Sequence, residues 1–283
     1  MNSLARPLFA EFLGTLILVM LAGMALASIF STVGDMTINL IVGLSYAGSA
    51  ILVYYAFSHY SSGHFNPAIS LGVATAGGMT WSHMGMYWLM QFLGAIAGGA
   101  LVVYFYGINF GDGVTNAVFI KDGRHFKVML VEAFLSFILV SAFLFSQEHH
   151  HNLTGLITGT VILTTVLAGY SLSGAYINPA YSFGTMIYNK QISEYWMYLV
   201  GPLLGSIVAA IIFRFFRNKF WNQEDSKACT KTLFESEEVV TITSTPMRTP
   251  MRNNIHYSPV KIPDENTYNS IINNNNLSNP IVS

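Results

Sequence analysis

The chain has 283 residues, of which 52% are hydrophobic and only 10% are charged. A soluble domain carries about 25% charged residues, so the composition excludes a soluble protein for most of the chain. From Phe12 to Ile120 the only acidic or basic side chains are Asp35 and Asp112, and a stretch of this kind belongs in a lipid bilayer. The net charge of −1 argues against nucleic acid as a partner, and the single cysteine excludes an intrachain disulfide.

Six apolar segments are long enough to cross ~30 Å of hydrocarbon as helices. In chain order they are residues 8–30, 36–57, 83–106, 128–145, 153–170 and 195–215. Beyond them the sequence turns polar, with Ser, Thr, Pro and a run of Asn, and contains too few apolar residues to bury a core. We therefore expect a membrane domain over residues 1–216, with halves at about 8–107 and 125–215, and a disordered tail over 217–283.

Two further apolar segments are too short to span the bilayer. They are residues 66–78, between the second and third spans, and residues 178–188, between the fifth and sixth. Short, proline-containing segments at matching places in two halves indicate half-helices that build a transport site. The sequence thus predicts an all-α membrane protein with six transmembrane helices and two re-entrant half-helices.

The two halves also repeat in sequence. Residues 11–19 align with residues 132–140, and each of these segments opens with a glutamate at the start of its half. Each half holds three spans, which is an odd number, so the second half enters the membrane in the opposite orientation. The pattern predicts an inverted repeat that brings the two short segments together near the middle of the bilayer.

Both short segments begin with Asn-Pro-Ala, which is the chemistry of a helix start. Asn is a good N-cap, and Pro at the first helical position loses only an N–H that has no partner there. Two such starts meeting in a narrow tube present side-chain amides and positive helix ends, which bind the oxygen of a neutral molecule and oppose a cation. The predicted centre of the pore consists of Asn66, Pro67, Ala68, Asn178, Pro179 and Ala180.

These residues resemble those of the aquaporins, the major intrinsic protein family. Residues 61–70 (SSGHFNPAIS) and 173–184 (SGAYINPAYSFG) are similar to the two family signatures, and Gln91, Gly94 and the Gly201-Pro202 pair match family positions. The resemblance covers residues 8–215. It implies an aquaporin-like fold and a homotetramer with a water-conducting pore in each subunit, without a cofactor, a metal ion or a catalytic residue.

The resemblance also assigns a selectivity filter at the outer constriction, and there the sequence departs from the family. The four filter positions hold Tyr46, Val166, Ala175 and Tyr181. Most members carry Arg where this chain has Tyr181, so a fixed cation and several hydrogen-bond donors are missing. Either the two tyrosines lean together and narrow or close the pore, or they part and admit solutes larger than water.

Four polar residues in the predicted membrane domain are expected to have structural roles. Glu11 and Glu132 are deep in predicted spans, and we expect them to accept hydrogen bonds from the re-entrant loops, because non-helical backbone at membrane depth must find partners in the protein. We interpret His64 as a packed, hydrogen-bonded loop residue, and we place Gln91 with the buried polar residues.

The orientation of the protein in the membrane and its regulation are predicted from weaker patterns. Nine Lys and Arg residues fall on the side of the membrane that holds the termini, and four fall on the other side. This distribution predicts cytoplasmic termini in the plasma membrane or an intracellular vacuole or vesicle membrane. His149, His150 and His151 lie in a predicted cytoplasmic turn and suggest a gate sensitive to pH or metal, although a plain solvated loop is the simpler interpretation. Thr245, Thr249 and Ser258 precede prolines in the tail and are candidate phosphorylation sites.

The sequence therefore favours a passive water channel and leaves open whether its cytoplasmic loop or tail forms a gate. One alternative is a facilitator of small neutral solutes such as glycerol, urea, ammonia or hydrogen peroxide. Another is a closed-pore structural or signalling membrane protein. An enzyme is the least favoured class, because the spans hold no nucleophile with a base, no metal-ligand set and no phosphate loop.

Overall fold

The computed structural model describes residues 4–29, 35–106, 124–189 and 192–235, and within these ranges all regular structure is helical. The eight α-helices are α1 (Ala5–Ile29), α2 (Asp35–Ser61), α3 (Pro67–Ala76), α4 (Trp81–Tyr106), α5 (His125–His149), α6 (Thr154–Ser173), α7 (Pro179–Met186) and α8 (Tyr195–Glu235). Short 3₁₀ helices cover His151–Leu153, Ile187–Asn189 and Ile192–Glu194.

Six helices are long and apolar enough to cross a membrane, as the sequence predicts. The spans are Ala5–Ser28, Ile38–Ser61, Trp81–Tyr106, His125–His149, His151–Ser173 and Ile192–Arg217. Each of them matches a predicted segment to within a few residues. The two short segments become α3 and α7, so the fold class is confirmed: six transmembrane helices and two re-entrant half-helices.

The last helix is longer than the sequence predicts. Helix α8 continues to Glu235, whereas we expected a disordered tail from residue 217 onward. Residues 217–235 contain neither Pro nor Gly, so nothing in them stops a helix that has already formed. By its contacts the chain forms two units, Met1–Thr232 and Leu233–Ser283. The rest of the predicted tail, with Thr245, Thr249 and Ser258, lies outside the described residues.

Close packing between helices uses matched glycines in the two halves. A Cβ added to Gly94 of α4 would collide with the backbone oxygen of Phe12 in α1, and a Cβ added to Gly205 of α8 would collide with that of Ala133 in α5. Small residues let membrane helices approach until their backbones touch. The resulting helix pairs, α1 with α4 and α5 with α8, place the glutamates of α1 and α5 beside the re-entrant loops.

Each half-helix is preceded by a loop that returns into the core. We call residues 61–66 the first loop and residues 173–178 the second loop. Their backbones repeat the same turn, with left-handed φ angles of 74° at Ser62 and 47° at Phe65, and of 89° at Gly174 and 47° at Ile177. A left-handed residue other than Gly costs about 1–2 kcal/mol, so each loop needs strong partners to hold it.

Candidate permeation site at the paired Asn-Pro-Ala segments

The two short helices begin at asparagine caps. Asn66 has extended backbone angles, and its side-chain oxygen accepts a hydrogen bond from Ala68 N at 2.8 Å. Asn178 accepts hydrogen bonds from Ala180 N at 3.0 Å and Tyr181 N at 3.3 Å. Pro follows each Asn at the first helical position, as the cap chemistry predicts.

The two asparagines also tie the loops to each other. Asn66 Nδ2 donates to Ile177 O at 3.0 Å, and Asn178 Nδ2 donates to Phe65 O at 3.0 Å. The two carbonyl acceptors belong to the left-handed residues of the facing loop. Because an amide nitrogen carries two N–H groups, each Asn retains one N–H beyond this brace. The structure therefore brings the two predicted pore-centre segments together at one point in the core.

The first loop is held by Glu11 of α1. Its carboxylate accepts hydrogen bonds from His64 N at 3.0 Å and Phe65 N at 2.8 Å, and from Gln91 Nε2 at 2.8 Å. Gln91 also donates to Ser70 Oγ, whose other neighbour is His64 Nδ1 at 3.1 Å. These contacts are those of a structural support, because the loop N–H groups have no helix or strand partner of their own.

The second loop is held in the same way by Glu132 of α5. Its carboxylate accepts hydrogen bonds from Tyr176 N at 3.0 Å and Ile177 N at 2.7 Å, and from Ser173 Oγ at 2.7 Å. Among the described residues, Glu11 and Glu132 are the only buried acidic or basic side chains, not counting His64. Both carboxylates face loop donors, which occupy their hydrogen-bonding oxygens.

On the second-loop side of the asparagine pair the four predicted filter residues are buried in one apolar cluster, together with Tyr176 and Tyr198. The rings of Tyr46 and Tyr181 lie with centroids 4.8 Å apart, and Tyr181 also contacts Tyr176 at 5.2 Å. Tyr46 OH donates to Tyr176 O at 3.0 Å. Of the two arrangements left open by the sequence, the structure has the one in which Tyr46 and Tyr181 lean together.

On the first-loop side the asparagine pair borders an open cavity. It contacts both asparagines and three further residues of the first loop, and helices α1, α2, α3 and α6 supply the remaining walls. The lining residues are Leu18, Tyr46, Ala50, Tyr54, Gly63, His64, Phe65, Asn66, Ile69, Thr158, Ile162 and Asn178. The two sides of the pair thus differ, since one is packed with tyrosine rings and the other contains space.

The three consecutive histidines lie at the exposed turn between α5 and α6. His149 ends α5, His150 is its C-cap and His151 starts the following 3₁₀ helix. No group of three or more His, Cys, Asp or Glu residues able to hold a metal ion occurs in the described parts of the chain. The histidines therefore do not converge on a metal site, and the metal-sensing form of the predicted gate has no structural support.

Sequence reasoning missed Tyr176 and Tyr198. Tyr198 OH donates to Ser173 O at 2.8 Å, and its ring meets that of Tyr176 at 5.2 Å. A signal for Tyr176 was present, because it stands two residues before its Asn, as His64 does. Applying the repeat to the loops as well as to the Asn-Pro-Ala segments would have found it.

Comparison with known proteins places this architecture in a family. The family model described as Major intrinsic protein matches residues 1–213. The chain is 30% identical to aquaporin NIP1-1 of Zea mays, over 75% of each chain, and 31% identical to aquaporin TIP4-4 of Zea mays, over 74% of this chain and 85% of the other. It is 29% identical to the probable aquaporin NIP7-1 of Arabidopsis thaliana, over 74% of this chain and 76% of the other.

A solved structure agrees in fold. The aquaglyceroporin from Plasmodium falciparum superimposes with a TM-score of 0.64 at 22% sequence identity, covering 75% of this chain and 96% of that one. At this level of identity the match concerns the fold alone. The family match and the six spans together show that the chain is a multi-pass membrane channel of the major intrinsic protein family and is not an enzyme.

Proposed function

We propose that the protein conducts water passively through the path between the two Asn-Pro-Ala segments. The observation that carries this proposal is the reciprocal brace, in which Asn66 and Asn178 each donate one N–H to a backbone carbonyl of the facing loop. The second N–H of each amide is not used by this pair of hydrogen bonds; in Asn178 it has the Tyr46 hydroxyl as a neighbour, which a permeant oxygen would replace as the acceptor. A water molecule that accepts both cannot accept from its neighbours in the file, so the proton wire is interrupted there.

Helix polarity supports a neutral permeant. The N-termini of α3 and α7 meet at the brace, and each contributes a partial positive charge of about half an elementary charge. The buried carboxylates of Glu11 and Glu132 direct their hydrogen bonds to the loop donors and not to the path. Such a site opposes cations while leaving the entry of water and other small neutral molecules unhindered.

The second-loop constriction favours water over larger solutes. Tyr46 and Tyr181 are in ring contact, and the walls around them are Val166 and Ala175. The phenol of Tyr46 is held by Tyr176 O, which leaves few polar groups to replace the hydration of a polyol. We therefore propose water as the main permeant, with a missing filter arginine offset by a narrow aromatic opening.

The same ring contact favours a second candidate, a path that is closed in the resting protein. In that case the exposed turn with His149, His150 and His151, or the tail after Glu235 with Thr245, Thr249 and Ser258, controls opening. We place this turn and both termini in the cytoplasm from the distribution of basic residues, and we propose the homotetramer of the family as the assembly. Facilitated passage of glycerol, urea, ammonia or hydrogen peroxide is the third candidate.

Reconstitution separates these candidates. Proteoliposomes with full-length protein and with a chain ending at Glu235 are shrunk in a stopped-flow instrument, first with sucrose and then with glycerol or urea. Fast shrinkage without re-swelling supports the water channel, and re-swelling supports the solute facilitator. Flux that appears only after the tail is removed supports a channel gated by the tail, and equal absence of flux in both proteins contradicts the open water channel and the solute facilitator.

A further inference from the structure

The sequences of the two loops align with each other without a gap. Positions 112 residues apart, such as Asn66 and Asn178, occupy equivalent places. Ser61 Oγ accepts from Gly63 N at 3.2 Å, and Ser173 Oγ accepts from Ala175 N at 3.1 Å. The left-handed residues before each Asn have the same φ of 47°. The equivalence therefore reaches from the capping asparagines back to the end of α2 and of α6.

The same register relates the filter to four residues on the opposite side of the asparagine pair. Each filter position has an equivalent 112 residues away, and these equivalents are Thr158, Tyr54, Gly63 and Ile69. All four line the cavity on the first-loop side, which both asparagines also border. Cavity lining and sequence register are separate observations, and they select the same four residues.

Tyr54 is the largest of the four, and its surroundings are built to hold it. Its ring lies between two glycines, because a Cβ on Gly63 or on Gly155 would come within 2.7 Å of a Tyr54 ring carbon. Gln147 Nε2 donates to Tyr54 OH at 3.0 Å, so the phenol is fixed at its far end as well. The equivalent filter residue, Val166, is small and has no polar anchor.

We propose that Tyr54 is a specificity-determining residue, the size-limiting side chain of a second restriction on the first-loop side. This inference rests on the proposed function, since it needs a permeant to pass the asparagine pair. Small neutral solutes then meet two restrictions in series, Tyr46 with Tyr181 and then Tyr54 with Thr158, Gly63 and Ile69. Resistances in series add, so widening only one restriction leaves the other in control of solute size.

The chain offers a direct test because Cys229 is its only cysteine. We start from Cys229→Ser with Tyr181→Ala, so that the second-loop constriction is widened, and add Tyr54→Cys or the nearly isosteric Thr158→Cys. Tyr60→Cys is the matched control, since Tyr60 is on the same helix and 59% exposed. A methanethiosulfonate that adds a sulfonatoethyl group is loaded on both sides of the vesicles, and labelling is checked by mass spectrometry.

Modification of Tyr54→Cys or Thr158→Cys is expected to lower water flux about fivefold or more, because a charged group then fills a narrow path. The Tyr60→Cys protein is expected to be labelled without loss of flux. If the cysteines at 54 and 158 are labelled without loss of flux, or are not labelled in a conducting protein, the proposed role of Tyr54 is overturned while the proposed function stands. A folded Tyr181→Ala background that conducts no water overturns the proposed function as well.

A second arm measures solute size. Glycerol uptake is compared for Tyr181→Ala, Tyr54→Ala and the double variant, with Tyr54→Phe as the variant that keeps the ring. Two restrictions in series predict that the double variant gains more than the product of the single gains, and that Tyr54→Phe gains less glycerol uptake than Tyr54→Ala. A Tyr181→Ala protein that takes up glycerol as fast as the double variant overturns the inference.

Discussion

The two loops of this channel share a scaffold and differ in what they present to the path. Each loop gives two N–H groups to a buried glutamate, and each has a serine carbonyl that accepts a tyrosine hydroxyl, Tyr87 on Ser61 at 2.6 Å and Tyr198 on Ser173 at 2.8 Å. The hydrogen bonds of the scaffold are therefore repeated almost atom for atom across the inverted repeat.

The side chains around the proposed path are not repeated. Two positions before the Asn, the first loop has His64 and the second has Tyr176, and three positions after it they have Ile69 and Tyr181. The first side consequently keeps a cavity, while the second fills with four tyrosine rings. The comparison teaches that most of the scaffold is separable from selectivity here, because the loop N–H groups bond to glutamates and serines that are the same in both halves, while the side chains that differ are those around the proposed path.

The largest expected effect tests the shared scaffold. Glu132→Ala leaves three donors without an acceptor, at about 1–3 kcal/mol for each buried group. We expect the protein to lose its folded state in detergent, as measured by thermal unfolding and by size-exclusion elution. Glu132→Gln keeps one acceptor oxygen, so we expect its thermal stability to lie between that of the unmodified protein and that of Glu132→Ala.

The matching change in the first half is Glu11→Ala, which also strands three donors. If the scaffold is symmetric, its loss of stability should be as severe as that of Glu132→Ala. A Glu11→Ala protein with unaltered thermal stability would show that the two glutamates differ in their structural roles.

The next effect concerns the side that is packed with tyrosine. Tyr181→Ala removes the ring that contacts both Tyr46 and Tyr176, and we expect water flux to rise, while urea uptake rises less than in the variant in which Tyr54 is also replaced by Ala. Stopped-flow shrinkage in sucrose and in urea measures both. Tyr181→Phe keeps the ring, so its solute selectivity should equal that of the unmodified protein; urea passage in both variants would mean that the ring does not limit size.

Restoring the usual family residue should act in the other direction. Tyr181→Arg places a fixed cation and several donors in the same wall, and we expect tighter exclusion of cations and of larger solutes. Cation leak can be followed with a pH-sensitive dye in vesicles under a potassium gradient. Unchanged selectivity together with unchanged water flux would argue against position 181 as part of the filter.

Much of the scaffold could be predicted from the sequence because its chemistry is strict. An Asn-Pro start has few alternatives to a helix cap, and a glutamate in an apolar span has to meet donors. Tyr54 and Tyr198 were harder, since a membrane helix is apolar towards lipid as well as towards the core. The residues around a tyrosine in such a helix do not show whether it faces the core or, like Tyr60, the outside of the protein.

The end of α8 illustrates a different limit. The sequence predicts where the apolar part of the last helix ends, and the span does end at Arg217. It does not predict that the helix itself stops there, because polar residues without Pro or Gly can continue a helix beyond the bilayer. Hydropathy therefore locates the membrane boundary, and only the turn-forming residues locate the helix end.

The smallest expected effect compares the two tyrosine hydroxyls of the scaffold. Tyr87→Phe and Tyr198→Phe each remove the donor to a serine carbonyl, and each should lower stability by about 1 kcal/mol. Thermal unfolding of the two variants, with Tyr60→Phe as an exposed control, measures the difference. Equal losses would support the symmetric scaffold. A larger loss for Tyr198→Phe would mean that the hydroxyl also secures the ring of Tyr176, and water flux should then rise in that variant alone, because the tyrosine cluster on the second-loop side would have lost one of its fixed walls.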